Sequence, residues 1–373
     1  MPPSTEPLRL VQVGAGSMGR AWLEVLAASD QVELVGLVDL DQATARRAAE
    51  DVGAEVEVSD DLGPLLDRVA ADAVLNVTIP TAHAEVAITA LLRGLPVLGE
   101  KPLAESVSAG LSMIAAAELS GRLLAVSQSR RYWRNLTALR AQIAQLGALG
   151  TLSCEFFRAP HFGGFRDEMD HPLLIDMAIH QFDLARDLTG GEPVAVYCDS
   201  SNPSWSWYAG DAAAQAVFEL TDGVRFSFTG SWCSPGLETS WNGSWRVSGE
   251  GGTAIWDGDG EPSAEDADGR PLLVPVEDVP EQIAGSLAEF VTSVRDGTAP
   301  SGEARSNVLS LAMVEAAIQS ARERRRVLLA EVLEQAHADA VARESRPEIL
   351  DVLTSWASVH DVVGRVRNPK PAP

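Results

Sequence analysis

The sequence predicts an α/β protein: a doubly wound parallel sheet first, then a strand-rich second domain and a helical tail. Three observations carry this. A glycine-rich turn, Gly14-Ala15-Gly16-Ser17-Met18-Gly19, stands between a β-rich run, Leu8 to Val13, and a helical pattern through Ala21, Leu23, Val25, Leu26 and Ala27. Apolar strand-like runs and helical stretches then alternate as far as residue 100, the order that builds parallel βαβ units. From Val194 to Trp256 the pattern changes to alternations such as A-V-F-E-L and R-F-S-F-T, which read as half-buried strands.

Strand, G-x-G-x-x-G and helix is the order of a dinucleotide cradle, the Rossmann fingerprint. Gly14 permits the tight turn, Gly16 lets the backbone approach a pyrophosphate, and Gly19 lets the helix pack close to the strand. Glu33 to Val38 reads as the next buried strand, with Asp39 at its end, 20 residues past Gly19. A carboxylate there accepts hydrogen bonds from the adenine ribose and repels a 2′-phosphate, which favours NAD over NADP; a plain turn residue is the competing reading. Ala43 to Val52 reads as a helix, and Ala71 to Ile79 as a strand broken by Pro80. Ala84 to Leu92 reads as a helix, and Leu95 to Leu98 as a strand running into Gly99-Glu100-Lys101-Pro102. Ligands of such a sheet sit beyond the carboxyl ends of its strands. Asp39, Pro80 to His83 and Lys101 all fall on that edge; a helix N-terminal residue with no ligand is the competing reading of His83.

Composition narrows the function. The formal net charge of −24 argues against nucleic acid and anionic membranes, which require a basic footprint. Cys154, Cys198 and Cys233 are widely spaced, and the six histidines show no metal-ligand spacing, so neither a disulfide framework nor a metal site is expected. With no basic-apolar leader and no run of about 18 apolar residues, a cytoplasmic location is expected. Lysine occurs only at Lys101 and Lys370 among 29 basic residues. A lone internal lysine in an arginine-using chain suggests a role for a compact ammonium.

Leu173 to Arg186, L-L-I-D-M-A-I-H-Q-F-D-L-A-R, reads as one helix. At about 100° per residue, Asp176, His180, Asp183 and Asp187 share a narrow stripe on an otherwise apolar cylinder. The helix is therefore expected to be buried, with an ionisable line facing either core partners or a ligand. Upstream, Arg130, Arg131 and Tyr132 follow a strand, and Arg131 is a candidate substrate contact. The Gly-containing loop from His161 to His171 offers His161, Phe165 and Arg166 as further candidates. Of the six tryptophans between Trp205 and Trp256, sheet core or interface accounts for most better than carbohydrate stacking. Asp257 to Gly269 reads as an exposed acidic loop, and Pro280 to Val294 and Glu303 to Arg322 as helices covering the sheet. In the tail, Leu329, Val332, Leu333, Ala336 and Ala340 form a helical stripe. Ser345-Arg346-Pro347-Glu348 reads as a capping box opening a second helix that ends at Gly364. The division expected is 1–125 for dinucleotide binding, 126–326 for substrate and oligomerisation, and 327–373 as a helical extension.

Four features together resemble a known family: the Gly14–Gly19 loop with Asp39, T-I-P-T-A-H from Thr78 to His83, Glu100-Lys101-Pro102, and D-M-A-I-H from Asp176 to His180. They are similar to those of the glucose–fructose oxidoreductase, inositol dehydrogenase and rhizopine-catabolism family (Gfo/Idh/MocA), over roughly residues 8 to 326. The loop is shared by many dehydrogenases; Glu-Lys-Pro followed some 75 residues later by D-x-x-x-H is far more specific.

The resemblance implies a second domain with a large, open, mainly antiparallel sheet, used for a homodimer or homotetramer. It implies reversible oxidation of a secondary alcohol on a small-molecule sugar, cyclitol or related polyol. It makes Lys101, Asp176 and His180 the catalytic group and often gives a cis Lys-Pro bond. Gly14, Gly16, Ser17, Met18, Gly19, Asp39, Thr78, Pro80, His83, Glu100 and Lys101 become the cofactor-binding set. Two other functions fit the same fold: an NAD-dependent glycosidase that oxidises transiently and eliminates, and a nucleotide-sensing regulator without chemistry. Net NADH formation separates the first; the joint presence of Lys101, Asp176 and His180 argues against the second.

Overall fold

The structure, a computed structural model, describes residues 6–275 and 279–364; Lys370 lies outside them. The chain forms two compact units. One comprises Met1–Ser129, Ile283–Val308 and Gln335–Pro373, the other Arg130–Gln282 and Leu309–Glu334.

The first unit is wound around six parallel strands: β1 (Leu8–Val13), β2 (Val32–Val38), β3 (Glu57–Ser59), β4 (Ala73–Asn76), β5 (Val97–Glu100) and β6 (Leu124–Ser127), in the order β3-β2-β1-β4-β5-β6. Its order reverses beside β1, where ligands bind in such sheets. The connecting helices are α1 (Ser17–Ala28), α2 (Gln42–Asp51), α3 (Leu62–Leu66), α4 (Pro80–Leu92) and α5 (Val107–Ser120). Local chemistry sets their ends. Asp41 caps α2 by accepting from the Ala43 and Thr44 amides, and Ser106 caps α5 through the Ala109 amide, each satisfying donors that a helix start leaves open. Gly121 closes α5 in the left-handed conformation, φ +64°.

Two expectations change here. The strand expected over 71–79 is only Ala73–Asn76. The helix expected from Ala84 already starts at Pro80, because proline, lacking an N–H, suits the first helical position. His83 therefore lies inside the first turn of α4. The pieces β3 and α3 carried too little periodicity to be read from sequence.

The core of this unit has two faces. Ala15, Leu23, Leu37, Ala45, Ala48 and Ala49 fill one. The other joins Leu10, Trp22, Leu26, Leu75, Val77 and Leu98 to Leu287, Phe290 and Val291. Those last three come from α8 (Gln282–Asp296). So the stretch expected to cover the second sheet packs into the nucleotide-binding core instead. The tail joins the same unit. There α11 (Pro347–Ser355) packs against α5, and Arg346 pairs with Glu85 and Glu344.

The capping box does not form: Arg346, not Ser345, is the cap residue, with no side-chain cap. The Glu344 carboxylate instead accepts from the Arg346 amide at 2.9 Å. The second tail helix also breaks at Trp356, leaving a short α12 (Val359–Val362).

The second unit holds eight strands: β7 (Leu149–Phe157), β8 (Pro193–Ser201), β9 (Ala213–Leu220), β10 (Arg225–Ser231), β11 (Ser244–Gly249), β12 (Gly252–Trp256), β13 (Ser263–Asp266) and β14 (Val327–Leu328). Their order is β13-β12-β11-β7-β10-β9-β8-β14, and every pair is antiparallel except β7–β10. The acidic stretch read as a loop thus contains an edge strand, β13. Period-two alternation decides which side is covered. Leu152, Cys154 and Phe156, Phe226 and Phe228, and Trp245 and Val247 are buried, while Glu155, Ser227 and Arg246 on the alternate positions are exposed. Phe182 of α7 (Ile179–Thr189) lies edge-on to Phe218, Phe226 and Phe228 at 4.7, 6.1 and 5.4 Å between centroids. That cluster seats α7 on the covered side. Three of the six tryptophans, Trp232, Trp245 and Trp256, are core residues; Trp205 and Trp241 are exposed. Helix α6 (Arg134–Ile143) also belongs to this unit, and α9 (Ala304–Glu323) and α10 (Leu329–Arg343) each contribute residues to both units.

No described helix is long and apolar enough to cross a membrane. The placement of α8 is testable: Phe290→Ala removes a fully buried ring and should destabilise the first unit by about 3–5 kcal/mol, seen as a lower urea midpoint. An unchanged midpoint would put α8 outside that core.

Candidate functional site

The first unit carries a cradle shaped by close backbone approach. Gly14 has φ +103°, and a Cβ there would meet the Val77 carbonyl oxygen at 2.4 Å. A Cβ on Gly19 would meet the Gly14 oxygen at 2.3 Å, whereas one on Gly16 would meet nothing within 4 Å. The two outer glycines are thus fixed by crowding and the middle one borders open space. Gly16, Ser17 and Met18 are exposed, Gly16 caps α1, and no side chain caps that helix start. The opening amides, with the positive end of the helix dipole, form an anion site, and the residues present fit a dinucleotide pyrophosphate.

Sequence reasoning missed Gln12. It is fully buried, and its Nε2 donates to the Gly14 and Gly19 carbonyls at 2.8 and 2.9 Å, tying the loop shut. Its signal was a polar residue inside an otherwise apolar strand. Asp39 stands beside the cradle. Its carboxylate accepts from the Ala15 amide at 2.8 Å and the Asp41 amide at 2.9 Å, which orients it at the end of β2.

At the ends of β4 and β5 three expected cofactor residues take different places. Thr78 Oγ1 donates to Asn76 Oδ1 at 2.7 Å, and Asn76 Nδ2 donates to the His83 carbonyl at 3.0 Å. The His83 ring is buried, with Nδ1 2.8 Å from the Pro102 carbonyl oxygen and Nε2 3.0 Å from that of Thr78. Both ring nitrogens face backbone carbonyl oxygens, so the ring is turned to the protein's own backbone rather than, as expected, to a cofactor. Glu100 is corrected in the same way. It points inward, accepting from Trp22 Nε1 at 2.8 Å and from the Lys101 amide at 3.1 Å, and burial raises its pKa. Lys101 itself is partly exposed, and its bond to Pro102 is cis, as the resemblance implied.

In the second unit the stripe-bearing segment is helical, but not as one α-helix. Leu173–Ala178 forms a π-helical turn that passes into α7 at Ile179. Such wide turns are uncommon and recur at functional sites. The acids of the stripe divide. Asp183 accepts a two-pronged bond from Arg131, Nε and Nη2 both at 2.7 Å, and a third from Ser310 Oγ at 2.7 Å. Ser310 in turn accepts from Arg186 Nη1 at 2.8 Å, and Arg186 binds Glu192. Asp187 accepts from Arg140 at 2.5 Å. Burial alone would lower the Arg131 pKa; the facing Asp183 carboxylate outweighs it, and the pKa is raised. Arg131, expected as a substrate contact, is thereby corrected to a structural residue with a buried, bidentate partner.

Asp176 and His180 lie at the other end of the segment. Asp176 Oδ2 binds Arg166 Nε at 2.6 Å, and His180 is buried. Arg166 also lies 4.8 Å over the ring of Phe165 and 5.5 Å over that of Phe162, both rings exposed. His161 stacks on Trp207 at 3.6 Å. Arg130 is half-buried, donates to the Trp241 carbonyl, and is pushed down by burial to about 10. Hence Arg166, Phe165 and Phe162 gather around the Asp176 end of the helix, while Arg131 holds the other end.

Comparison with known proteins agrees with both units. Residues 8–128 match the profile of an oxidoreductase family with an NAD-binding Rossmann fold, and residues 138–255 match the GFO/IDH/MocA C-terminal domain. An uncharacterized protein of Sinorhizobium fredii, y4oX, is 31% identical over 67% of this chain and 72% of its own length. Inositol 2-dehydrogenase of an Arthrobacter species is 32% identical over 58% of this chain and 65% of its own. The solved structure of an oxidoreductase from Agrobacterium radiobacter, in complex with NAD+, L-tartaric acid and magnesium, shares the fold at 19% identity. Its TM-score is 0.79, covering 87% of this chain and 99% of that one. With a dinucleotide cradle in one unit, an open eight-stranded sheet in the other and both halves matched, the chain belongs to the Gfo/Idh/MocA family of NAD-binding oxidoreductases.

Proposed function

We propose that the protein is an NAD-linked dehydrogenase interconverting a secondary alcohol and a ketone on a cyclitol, sugar or related polyol. The observation that carries the reading is the division of the α7 stripe. Asp183 and Asp187 are bound by the buried Arg131 and by Arg140, whereas Asp176 meets Arg166 of the loop that carries the exposed Phe162 and Phe165, and His180 lies one helical turn on from it. Likeness to an inositol 2-dehydrogenase supports the substrate class.

Bound NAD supplies the hydride acceptor. The backbone of Gly14, Gly16, Ser17, Met18 and Gly19 holds its pyrophosphate and Asp39 its ribose hydroxyls, with Thr78 and Pro80 at the neighbouring strand end. The proton is the chain's own task. His180 takes it from the hydroxyl, imidazole being the side chain suited to proton exchange near neutral pH. The Lys101 ammonium donates to the oxygen as negative charge develops there. Asp176, held by Arg166, orients the hydroxyl, and Phe165 and His161 belong to the substrate-facing loop. The exposed face of the eight-stranded sheet is assigned to self-association.

Incubating the protein with NAD and a panel of inositols, aldoses, sugar acids and glycosides should form NADH with at least one alcohol; binding of NAD without NADH from any of them would overturn the reading. His180→Ala should lower turnover by about a hundredfold or more at unchanged NAD affinity, and full turnover would remove His180 from the reaction. Asp39→Ala should weaken NAD binding by roughly tenfold and relax discrimination against NADP. A native preference for NADP in a binding titration would contradict that assignment.

A further inference from the structure

Lys101 is held from both sides by side chains. On its amino side the Glu100 carboxylate accepts the Lys101 amide, and Glu100 is itself fixed by Trp22. On its carboxyl side the Pro102 carbonyl leaves the strand ladder, which ends at Glu100. A buried carbonyl without a ladder partner needs a donor from elsewhere. His83 Nδ1 stands 2.8 Å from it. The same ring reaches the Thr78 carbonyl through Nε2 at 3.0 Å, and the His83 carbonyl takes a bond from Asn76. One buried imidazole therefore spans the loop after β4, the first turn of α4 and the turn after β5. An aliphatic side chain of similar size would fill the space and hold none of these groups.

We propose that His83 is a positioning residue for Lys101, fastening the Lys101–Pro102 turn to the first turn of α4 so that the ammonium is presented in one place beside the dinucleotide cradle. The proposal rests on the reading of Lys101 as the group that serves the reacting oxygen. Burial and the nearby Lys101 charge lower the ring's pKa against the opposing pull of the two carbonyls. The ring is neutral at pH 7 and donates through one nitrogen. The proposal puts that proton on Nδ1, toward Pro102. The bond to Pro102 is then the one that matters for Lys101, and this separates a positioning role from space filling.

Two amide substitutions test it. Asparagine puts an N–H near the place of Nδ1, glutamine near that of Nε2. Because the chain has only two lysines, Lys101 and Lys370, reductive methylation with 13C-formaldehyde gives two side-chain dimethylammonium signals, assigned with Lys370→Arg. In the NAD-bound protein, His83→Asn should keep the Lys101 signal near its unsubstituted position. His83→Gln should move it toward that of a solvent-exposed dimethyl-lysine. On unmethylated protein, His83→Gln should lose about tenfold or more in kcat, and His83→Asn should recover most of it. Equal behaviour of the two variants, or a Lys101 signal unmoved in both, would overturn the proposal. His83→Ala, where it folds, should match His83→Gln. Movement of the Lys101 signal in a protein that oxidises no alcohol would uphold the positioning role while sinking the dehydrogenase reading.

Discussion

The buried pair of Arg131 and Asp183 is the interaction on which the seating of α7 in the second unit depends. Two charges taken out of water cost several kcal/mol each unless geometry and further hydrogen bonds compensate. Here they do: the carboxylate receives both prongs of the guanidinium and the Ser310 hydroxyl, which is held in turn by Arg186. Removing one partner from such a pair is worth about 3–5 kcal/mol, so the helix has a single favourable rotation and height. Phe182, the residue before Asp183, presses into the Phe218, Phe226 and Phe228 cluster. The anchored end of the helix thus fixes where the other end presents Asp176 and His180.

The first unit solves a different problem, bringing peptide backbone close to an anion. Crowding at Gly14 and Gly19 draws helix α1 onto the end of β1, and Gln12 ties the carbonyls of both glycines from beneath. The open space at Gly16 is the consequence. The same logic recurs two strands over, at the end of β5, where Glu100 and His83 hold the backbone around Lys101 from opposite sides. In both places a buried polar side chain satisfies loop groups that the ladder leaves unpaired, and so rigidifies the edge where a ligand binds.

The glycine loop was legible in the sequence because its constraints are local: two positions within six residues, Gly14 and Gly19, must lack a Cβ, and Gly16 between them borders open space. Lys101 is singled out by scarcity, and Asp176 with His180 by spacing on an apolar helix, and their joint role belongs to the proposed function. The role of Arg131 was not legible, because its partner lies 52 residues away and nothing local separates a buried pair from a substrate contact. The π-helical turn was hidden because apolar residues surround it on all sides, so the hydrophobic pattern was blind to the change of pitch. Helix α8 was read correctly as a helix and assigned to the wrong core: an apolar stripe records that a face is buried, not what it is buried against. Glu100 and His83 were placed on the right edge of the sheet, but their orientation depends on Trp22 and Pro102, which no motif spacing records.

Lys101 and His180 are proposed to serve the same reaction. A double-mutant cycle on kcat with Lys101→Met and His180→Ala reads this directly. Groups that work as one machine are strongly non-additive, so the double variant should be no slower than the slower single variant by more than a few-fold. Losses that multiply, each substitution costing its full factor in the presence of the other, would mean independent roles and would contradict the account.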